Sequence, residues 1–340
     1  MKRTLILLGI AATIMVSACK KDNSNPVVVS SLDSINSGTV GALLDANDVY
    51  YSLANGIVAT VPRTNWDLAF STPVRTASIL INDGAGIELY TWKGGTAADF
   101  NNVGKNDSAN VTEASSLTNN NLDTTWFNSA FEENMSKTNP FDVGWGLYNM
   151  NTHNVEGDSV FILKFPNGTY KKIVILLHAG TSPYSFVFKI ANLEQNAVAD
   201  SVTIPATQYS TKNFVYYSIA NKQIIDREPA SSSWDFVYTK YAERAIGGYP
   251  VGGFLTNEGI YSSLVSGADT SKTYSQATYS KVISNIGYNW KTIRQDYSGY
   301  DITPGRYYYV KTKDNHYYRL KFKSFNIGTR VTVFEKKLVK

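Results

Sequence analysis

The chain has 340 residues, of which 43% are hydrophobic and 13% aromatic, and its formal net charge is +4. This length is enough for about two ordinary domains, each with a core of its own. A charge this close to neutral, without a block of lysine and arginine, gives no electrostatic basis for a nucleic-acid partner. The 23 tyrosines and the short apolar runs favour strands over helices, so we expect an all-β protein.

Residues 1–18 have the organisation of a secretion signal. A basic start, Met1-Lys2-Arg3, precedes the apolar run TLILLGIAATIMV, which is short for a membrane-spanning helix, and VSAC closes the segment. The pattern resembles a bacterial lipoprotein signal peptide. The resemblance implies that Cys19, the single cysteine of the chain, becomes the acylated first residue of the mature protein.

The polar stretch after the cysteine predicts a flexible tether, residues 19–41. Its Lys20-Lys21-Asp22 is similar to the charged signals that direct some Gram-negative lipoproteins to the cell surface. We therefore expect a lipid-anchored protein of the outer membrane, facing outward.

The rest of the chain repeats itself. Each half contains a VYYS segment, a Trp-Asp pair, a second tryptophan and a strand–turn–strand, in the same order. The paired landmarks are Val49–Ser52 and Val215–Ser218, Trp66-Asp67 and Trp234-Asp235, Trp145 and Trp290, and the turns Asn167-Gly168 and Asp314-Asn315. This recurrence predicts a tandem duplication, residues 42–197 and 198–340, with the tryptophans as core anchors and the turns exposed.

The strands of the two halves differ in pattern. Tyr318, Leu320 and Phe322 alternate with basic residues, which predicts one buried and one wet face. FILKF and IVILL in the first half are nearly continuous apolar runs, which predicts cover on both faces. Residues 101–125 are rich in Asn, Ser and Thr and are interpreted as a long surface loop.

The segments NWDLAFSTPVRTASILINDGAG and SWDFVYTKYAERAIGGYPVGG are each followed by a second tryptophan, and YYVKTKDNHYYRLKF then forms a hairpin. This arrangement resembles the HmuY family of haem-binding surface lipoproteins over most of residues 42 to 338, as two copies where a typical member has one. The resemblance implies two antiparallel β-sheet repeats, a lipid anchor, and capture of haem for delivery to a TonB-dependent receptor.

The same resemblance implies axial ligands for haem iron. The best characterised ligands of the family are a histidine pair, one of them shortly after the second tryptophan; here the residue five positions after Trp145 is Met150. Some relatives use methionines, and Met135 and Met150 flank Trp145 on both sides. We predict Met150 as one axial ligand and Met135 or His153 as the other.

Each candidate also has an ordinary interpretation. A methionine often fills an irregular core, and His153 lies in a polar segment typical of a solvated loop. His178, at the end of an apolar run, is interpreted as structural, and His316 as a surface residue beside a turn. If Met150 does not bind iron, the next alternatives are His178 or a pocket that holds the ligand without axial ligation.

No common catalytic motif occurs in the sequence: it lacks a G-x-S-x-G elbow, an H-E-x-x-H pair, a Walker loop and an EF-hand. We therefore predict a binding protein and not an enzyme. The main hypothesis is a haem- or porphyrin-binding lipoprotein whose first repeat is the binding copy. The alternative is a surface interaction protein that has lost haem and uses exposed tyrosines to contact glycans or another outer-membrane component.

Overall fold

The computed structural model describes residues 37–40, 46–112 and 115–340. Strands dominate these residues, and the helices among them are short 3-10 turns, so the predicted all-β class is confirmed. The signal peptide predicted at residues 1–18 and the lipid attachment predicted at Cys19 lie outside the described residues.

The regular elements are short and follow one another closely along the chain. The strands are β1 Ser37–Val40, β2 Asn47–Ser52, β3 Gly56–Pro62, β4 Leu68–Ser71, β5 Ile79–Ile81, β6 Glu88–Thr91, β7 Gly146–Tyr148, β8 Val155–Gly157, β9 Val160–Lys164, β10 Tyr170–Ala179, β11 Ser185–Asn192, β12 Asp200–Ile204, β13 Phe214–Ser218, β14 Gln223–Ile225, β15 Phe236–Glu243, β16 Tyr249–Thr256, β17 Tyr261–Val265, β18 Lys291–Ile293, β19 Tyr300–Ile302, β20 Tyr307–Lys311, β21 Tyr317–Phe325 and β22 Thr332–Leu338. The 3-10 helices of the described ranges are Asp83–Ala85, Ala97–Asn102, Lys105–Asn110, Ala130–Glu132, Ala206–Tyr209, Arg244–Ile246 and Gly267–Ser271. Within the same ranges, no helix combines the length and the apolar character that a bilayer span needs.

Two larger antiparallel sheets each draw most of their strands from one half of the chain. Sheet I has the order β12-β11-β10-β8-β7, with β9 paired to β10 and β6 paired to β9. Sheet II has the order β1-β22-β21-β20-β17. The tether prediction for residues 19–41 therefore needs a correction at its end, because Ser37–Val40 forms β1 and pairs with the free edge of β22.

Two four-stranded sheets join the halves. In sheet III, order β14-β13-β4-β5, the hairpin β13–β14 of the second half pairs with β4 of the first half. In sheet IV, order β16-β15-β2-β3, the hairpin β2–β3 of the first half pairs with β15 of the second half. We call β2–β3 and β13–β14 the exchanged hairpins, because each completes a sheet of the other half.

The same side-chain contact holds both exchanged hairpins. The Asp67 carboxylate accepts a hydrogen bond from the backbone N–H of Ile219 at 2.6 Å. The Asp235 carboxylate accepts one from the backbone N–H of Leu53, also at 2.6 Å. Each aspartate follows the first tryptophan of its half, and its partner lies in the other half.

The hydrophobic cores under sheets I and II each also contain side chains from the exchanged hairpin of the other half. The larger core, under sheet I, includes Val215 and Tyr217 from β13. The core under sheet II includes Val49 and Tyr51 from β2. The boundary between residues 42–197 and 198–340 stays a prediction from sequence, and the structure adds that strands from either side of it complete the core on the other side.

The segment predicted as a surface loop, residues 101–125, is partly a structural cover. Val103 is fully buried, and with Phe100 it packs on Val160, Ile162 and Val174, which form the outer face of β9 and β10. The interpretation as a purely exposed loop was therefore wrong, although both faces of the apolar strands are covered as their sequence predicts. The segment is polar on average, but a few apolar residues in and beside it, such as Val103 and Phe100, are enough to cover one face of a sheet.

The local predictions are confirmed except at Trp66. Trp145, Trp234 and Trp290 are at most 3% exposed, whereas Trp66 is only partly buried. The alternation along β21 places Tyr318, Leu320 and Phe322 in the core of sheet II, and the turns at 167–168 and 314–315 are exposed.

Candidate functional site

An open cleft of about 960 Å³ lies at one end of sheet I. Its walls come from the β4–β5 loop, from loop residues between 123 and 143, from the β7–β8 turn and from the β10–β11 loop. Apolar and aromatic residues, Phe127, Val143, Val155 and Tyr184 among them, line the cleft together with about as many polar ones. A cleft of this size is typical of sites for small organic ligands and cofactors.

His178 faces this cleft from the end of β10. It pairs in register with Val155 on β8 and with Phe186 on β11, and its ring lies 4.4 Å from the Phe186 ring, centroid to centroid. The side chain is only 6% exposed, and burial lowers the pKa of its imidazole to about 4. Within the described part of the chain, no residue forms a hydrogen bond with its ring nitrogens. His178 is thus a neutral imidazole with an unused lone pair in the wall of the cleft.

The β7–β8 turn brings His153 to the rim of the same cleft. The His153 N–H donates to the Asn149 carbonyl at 2.8 Å, and the residue adopts a φ of +60°, which closes the turn tightly. The Tyr148 hydroxyl hydrogen-bonds the His153 Nδ1 at 2.8 Å, so the Nε2 atom is the one that can meet a ligand.

A glycine lets this turn approach the strand that carries His178. A Cβ atom at Gly180 would lie 1.5 Å from the carbonyl oxygen of His153, so a side chain is excluded there. The Gly180 N–H also donates to the Asn154 side-chain oxygen at 3.1 Å. The two histidine-bearing segments are therefore held together at the cleft.

Met135 and Glu132 contribute a third wall. Met135 is 45% exposed, and its N–H donates to the Glu132 carbonyl at 3.0 Å. The Glu132 carboxylate is buried and accepts hydrogen bonds from the N–H and the hydroxyl of Ser129 at 2.6 and 2.5 Å. Burial raises the pKa of Glu132 to about 7, so close to neutral pH this group exists in both protonation states.

The structure thus separates the sequence-predicted candidates. Met135 and His153 line the cleft, whereas Met150 lies in the same turn as His153 but is 64% exposed and does not line the cleft. Of the three predicted ligands, His153 and Met135 are therefore the ones that a small molecule in the cleft would meet. Cys19 lies outside the described residues.

His178, interpreted from the sequence as structural, lies in the wall of the cleft. The signal that could have identified it is its place at the end of a buried apolar strand, where a polar side chain needs either a partner or a function. His316, by contrast, is exposed beside the β20–β21 turn as predicted, and its Nδ1 lies 2.6 Å from the Asp314 carboxylate. Among the described residues, no three His, Cys, Asp or Glu side chains are grouped as a metal-ion site.

Comparison with known proteins assigns a family likeness to the first half. Residues 45–182, less than half of the chain, match the sequence model of the family described as HmuY protein. The match includes Met135, His153 and His178 and nearly all of the cleft walls. No curated protein and no solved structure matches the chain.

Proposed function

We propose that the protein binds haem or a related tetrapyrrole in the cleft at the end of sheet I. The observation that carries the proposal is the buried, neutral His178, which has no hydrogen-bond partner among the described residues and faces a cleft of suitable size. Nearly all of the cleft also lies within the part of the chain that matches the HmuY family. A binding role, and not catalysis, is what this family likeness supports.

The residues present fit the requirements of haem. His178 would supply one axial nitrogen, and His153 through Nε2 or Met135 through its thioether would supply the second. Bound haem would contribute a redox-active iron whose affinity for a thioether is greater in the ferrous state. Val143, Val155 and Phe127 would contact the faces of the porphyrin and exclude water from the iron.

The test is a haem titration of residues 20–340 in both the oxidised and the reduced state. We expect a saturable change in the Soret band, and His178→Ala should weaken binding roughly ten- to a hundredfold because an axial bond is lost. His316→Ala is the matched control, since it removes an exposed histidine that does not line the cleft.

The possible results have different consequences. If no saturable Soret change is seen in either redox state, the haem proposal is wrong. If His178→Ala binds as tightly as the unaltered protein, the cleft or its ligand has been wrongly assigned.

We further propose that the protein acts at the cell surface, anchored to the outer membrane through a lipid on Cys19, and delivers haem to a TonB-dependent receptor. The support is the signal-peptide pattern of residues 1–18 and the cysteine that follows it. Cys19→Ser should leave an unprocessed precursor. The lipid anchor would be contradicted if this variant were still cleaved after Ala18 and still fractionated with membranes. The receptor partner would be contradicted if the haem-loaded protein did not transfer haem to vesicles that contain the receptor.

A tandem duplication is the origin that we infer for the chain. It is supported by the matching aspartate contacts at Asp67 and Asp235 and by two equivalent ring contacts. The Tyr50 and Trp234 rings lie 5.0 Å apart edge to face, and so do the Trp66 and Tyr216 rings. A structure-based alignment of the two halves that failed to superpose these residues would contradict this origin.

A second candidate function is a surface interaction that does not involve haem. It is favoured by two exposed tyrosines of the second half, Tyr249 at 66% and Tyr297 at 76% exposure, because exposed aromatic rings are suited to glycan or protein contacts. A protein that fails the haem titration but loses glycan or protein binding on Tyr297→Ala would have this function.

A further inference from the structure

The β4–β5 loop, which forms one side of the cleft, is firmly held at its base. The Ser71 N–H donates to the Ser78 carbonyl at 2.9 Å, and the Ser78 N–H donates to the Ser71 hydroxyl oxygen at 3.0 Å. Within the loop, the N–H and the hydroxyl of Thr76 both donate to the Pro73 carbonyl, at 3.2 and 2.7 Å. The residue between these anchors, Arg75, therefore has a fixed backbone position.

Arg75 is held in an unfavourable backbone conformation. Its φ is +69°, in the left-handed region, which costs free energy for any residue that carries a Cβ atom. Such positions concentrate at ligand-binding and catalytic sites, where the rest of the structure enforces them. The conformation places a long cationic side chain, exposed to solvent, at the mouth of the cleft.

The charge of Arg75 is not used within the described part of the protein. Across those ranges, no hydrogen bond or ion pair involves its guanidinium, and no other lysine or arginine lines the cleft. The two carboxylates that line the cleft already have partners. Asp123 accepts hydrogen bonds from the Thr124 N–H at 2.5 Å and the Asn128 amide at 2.6 Å, and Glu132 is bonded to Ser129.

We propose that Arg75 binds a carboxylate at the outer edge of the ligand, so that the cleft selects tetrapyrroles with free propionates over their esters. The guanidinium forms two parallel hydrogen bonds with a carboxylate, and an ester offers neither the charge nor the same geometry. His178 is buried and Arg75 is exposed, so the cleft has a deep nitrogen ligand and a cation at its mouth. This arrangement matches a flat apolar macrocycle that carries its acidic groups along one edge. The inference rests on the proposed tetrapyrrole function.

The experiment measures binding of iron-free protoporphyrin IX and of its dimethyl ester by porphyrin fluorescence. Without iron, axial ligation does not contribute, so the effect of the carboxylates is seen directly. The variant is Arg75→Gly, because glycine accepts the positive φ and the loop keeps its shape while the guanidinium is lost. Lys222→Gly is the matched control: Lys222 is an exposed cation with a φ of +51° that does not line the cleft.

We expect the unaltered protein to bind the free acid roughly tenfold or more tightly than the ester, as is typical of hydrogen bonds to charged groups. Arg75→Gly should lose this preference by weakening binding of the acid alone, and Lys222→Gly should keep it. Arg75→Lys should keep part of it, since the charge remains but the paired geometry does not.

Equal affinity for acid and ester in the unaltered protein, or an unchanged preference in Arg75→Gly, would overturn the role of Arg75 while leaving tetrapyrrole binding intact. If neither pigment binds although the haem titration is positive, this inference is overturned and the proposed function stands. If haem does not bind either, both are wrong.

Discussion

Glu132 shows how a single buried side chain links the cleft to the stability of the protein. Its carboxylate accepts a hydrogen bond from the Ser129 N–H at the start of the short helix Ala130–Glu132. The single hydroxyl proton of Ser129 has two alternative acceptors, the Glu132 carboxylate at 2.5 Å and the Ile79 carbonyl on β5 at 2.6 Å. Helix start, strand and cleft wall are therefore joined by one network. Burial nevertheless opposes ionisation of this carboxyl, because a charged group loses its hydration there.

The raised pKa of Glu132 makes its contribution to stability depend on pH. In the folded protein the pKa is about 7, against an ordinary value of 4.5, so the folded state holds this proton more tightly than the unfolded state. The contribution is complete below about pH 4.5 and is lost as the pH rises towards 7. Between these pH values the free energy of unfolding of Glu132→Gln should fall by about 1–3 kcal/mol less than that of the unaltered protein. Urea denaturation of both proteins between pH 4 and pH 8 would measure it.

Asp83 and Glu228 also contribute to the loss of stability between pH 4.5 and pH 7, because burial raises their pKa values to about 7 as well. The informative quantity is therefore the difference between Glu132→Gln and the unaltered protein. Glu194→Gln, an exposed carboxyl in a surface ion pair, is the control and should follow the unaltered protein. Parallel pH profiles for Glu132→Gln and the unaltered protein would contradict the assignment.

At the scale of the elements, the sequence predicts strands well and their partners poorly. The alternation along β21 and the Asn-Gly turn after β9 depend on neighbouring residues, so both could be predicted locally. The pairing of β13 with β4 is different, because β13 is buried along its whole length and such a strand carries no pattern that specifies its neighbour. The exchanged hairpins could not be found from sequence for this reason.

The residues of the cleft could likewise be predicted only in part from the sequence. The resemblance directed attention to the segment after Trp145, which supplies His153 and Tyr148, and to Met135. His178 and Arg75 belong to segments distant in sequence, and only the pairing of β8 with β10 and the course of the β4–β5 loop bring them to the same cleft. Met150 shows the converse case: its spacing after Trp145 matches the family pattern, but its side chain is exposed and does not line the cleft.

At the scale of the whole molecule, the two halves are expected to depend on each other for folding. Without residues 198–340, β4 would lose its neighbour β13, and Val215 and Tyr217 would be missing from the core under sheet I. Two side chains of this size contribute several kcal/mol when buried, which is a large fraction of the stability of a domain. Residues 20–197 expressed alone should therefore lack cooperative thermal unfolding in circular dichroism. Co-expression with residues 198–340 should restore it as a one-to-one complex.

Residues 20–235 are the matched comparison, because they retain β12 of sheet I as well as β13 and β14, and so supply the missing side of sheet III. They should unfold more cooperatively than residues 20–197. A monomeric 20–197 fragment with a sharp melting transition would show that β12 and the exchanged hairpin are both dispensable.

The short connection from β12 to β13, residues 205–213, places one exchanged hairpin beside its partner sheet at a fixed local concentration. For short links that concentration is on the order of millimolar, far above the concentration of the protein in any ordinary solution. Assembly of the shared cores in the intact chain is thus unaffected by dilution, whereas two separate fragments must find each other and will dissociate as they are diluted. A single molecule can therefore complete both of its cores without a second copy of the chain.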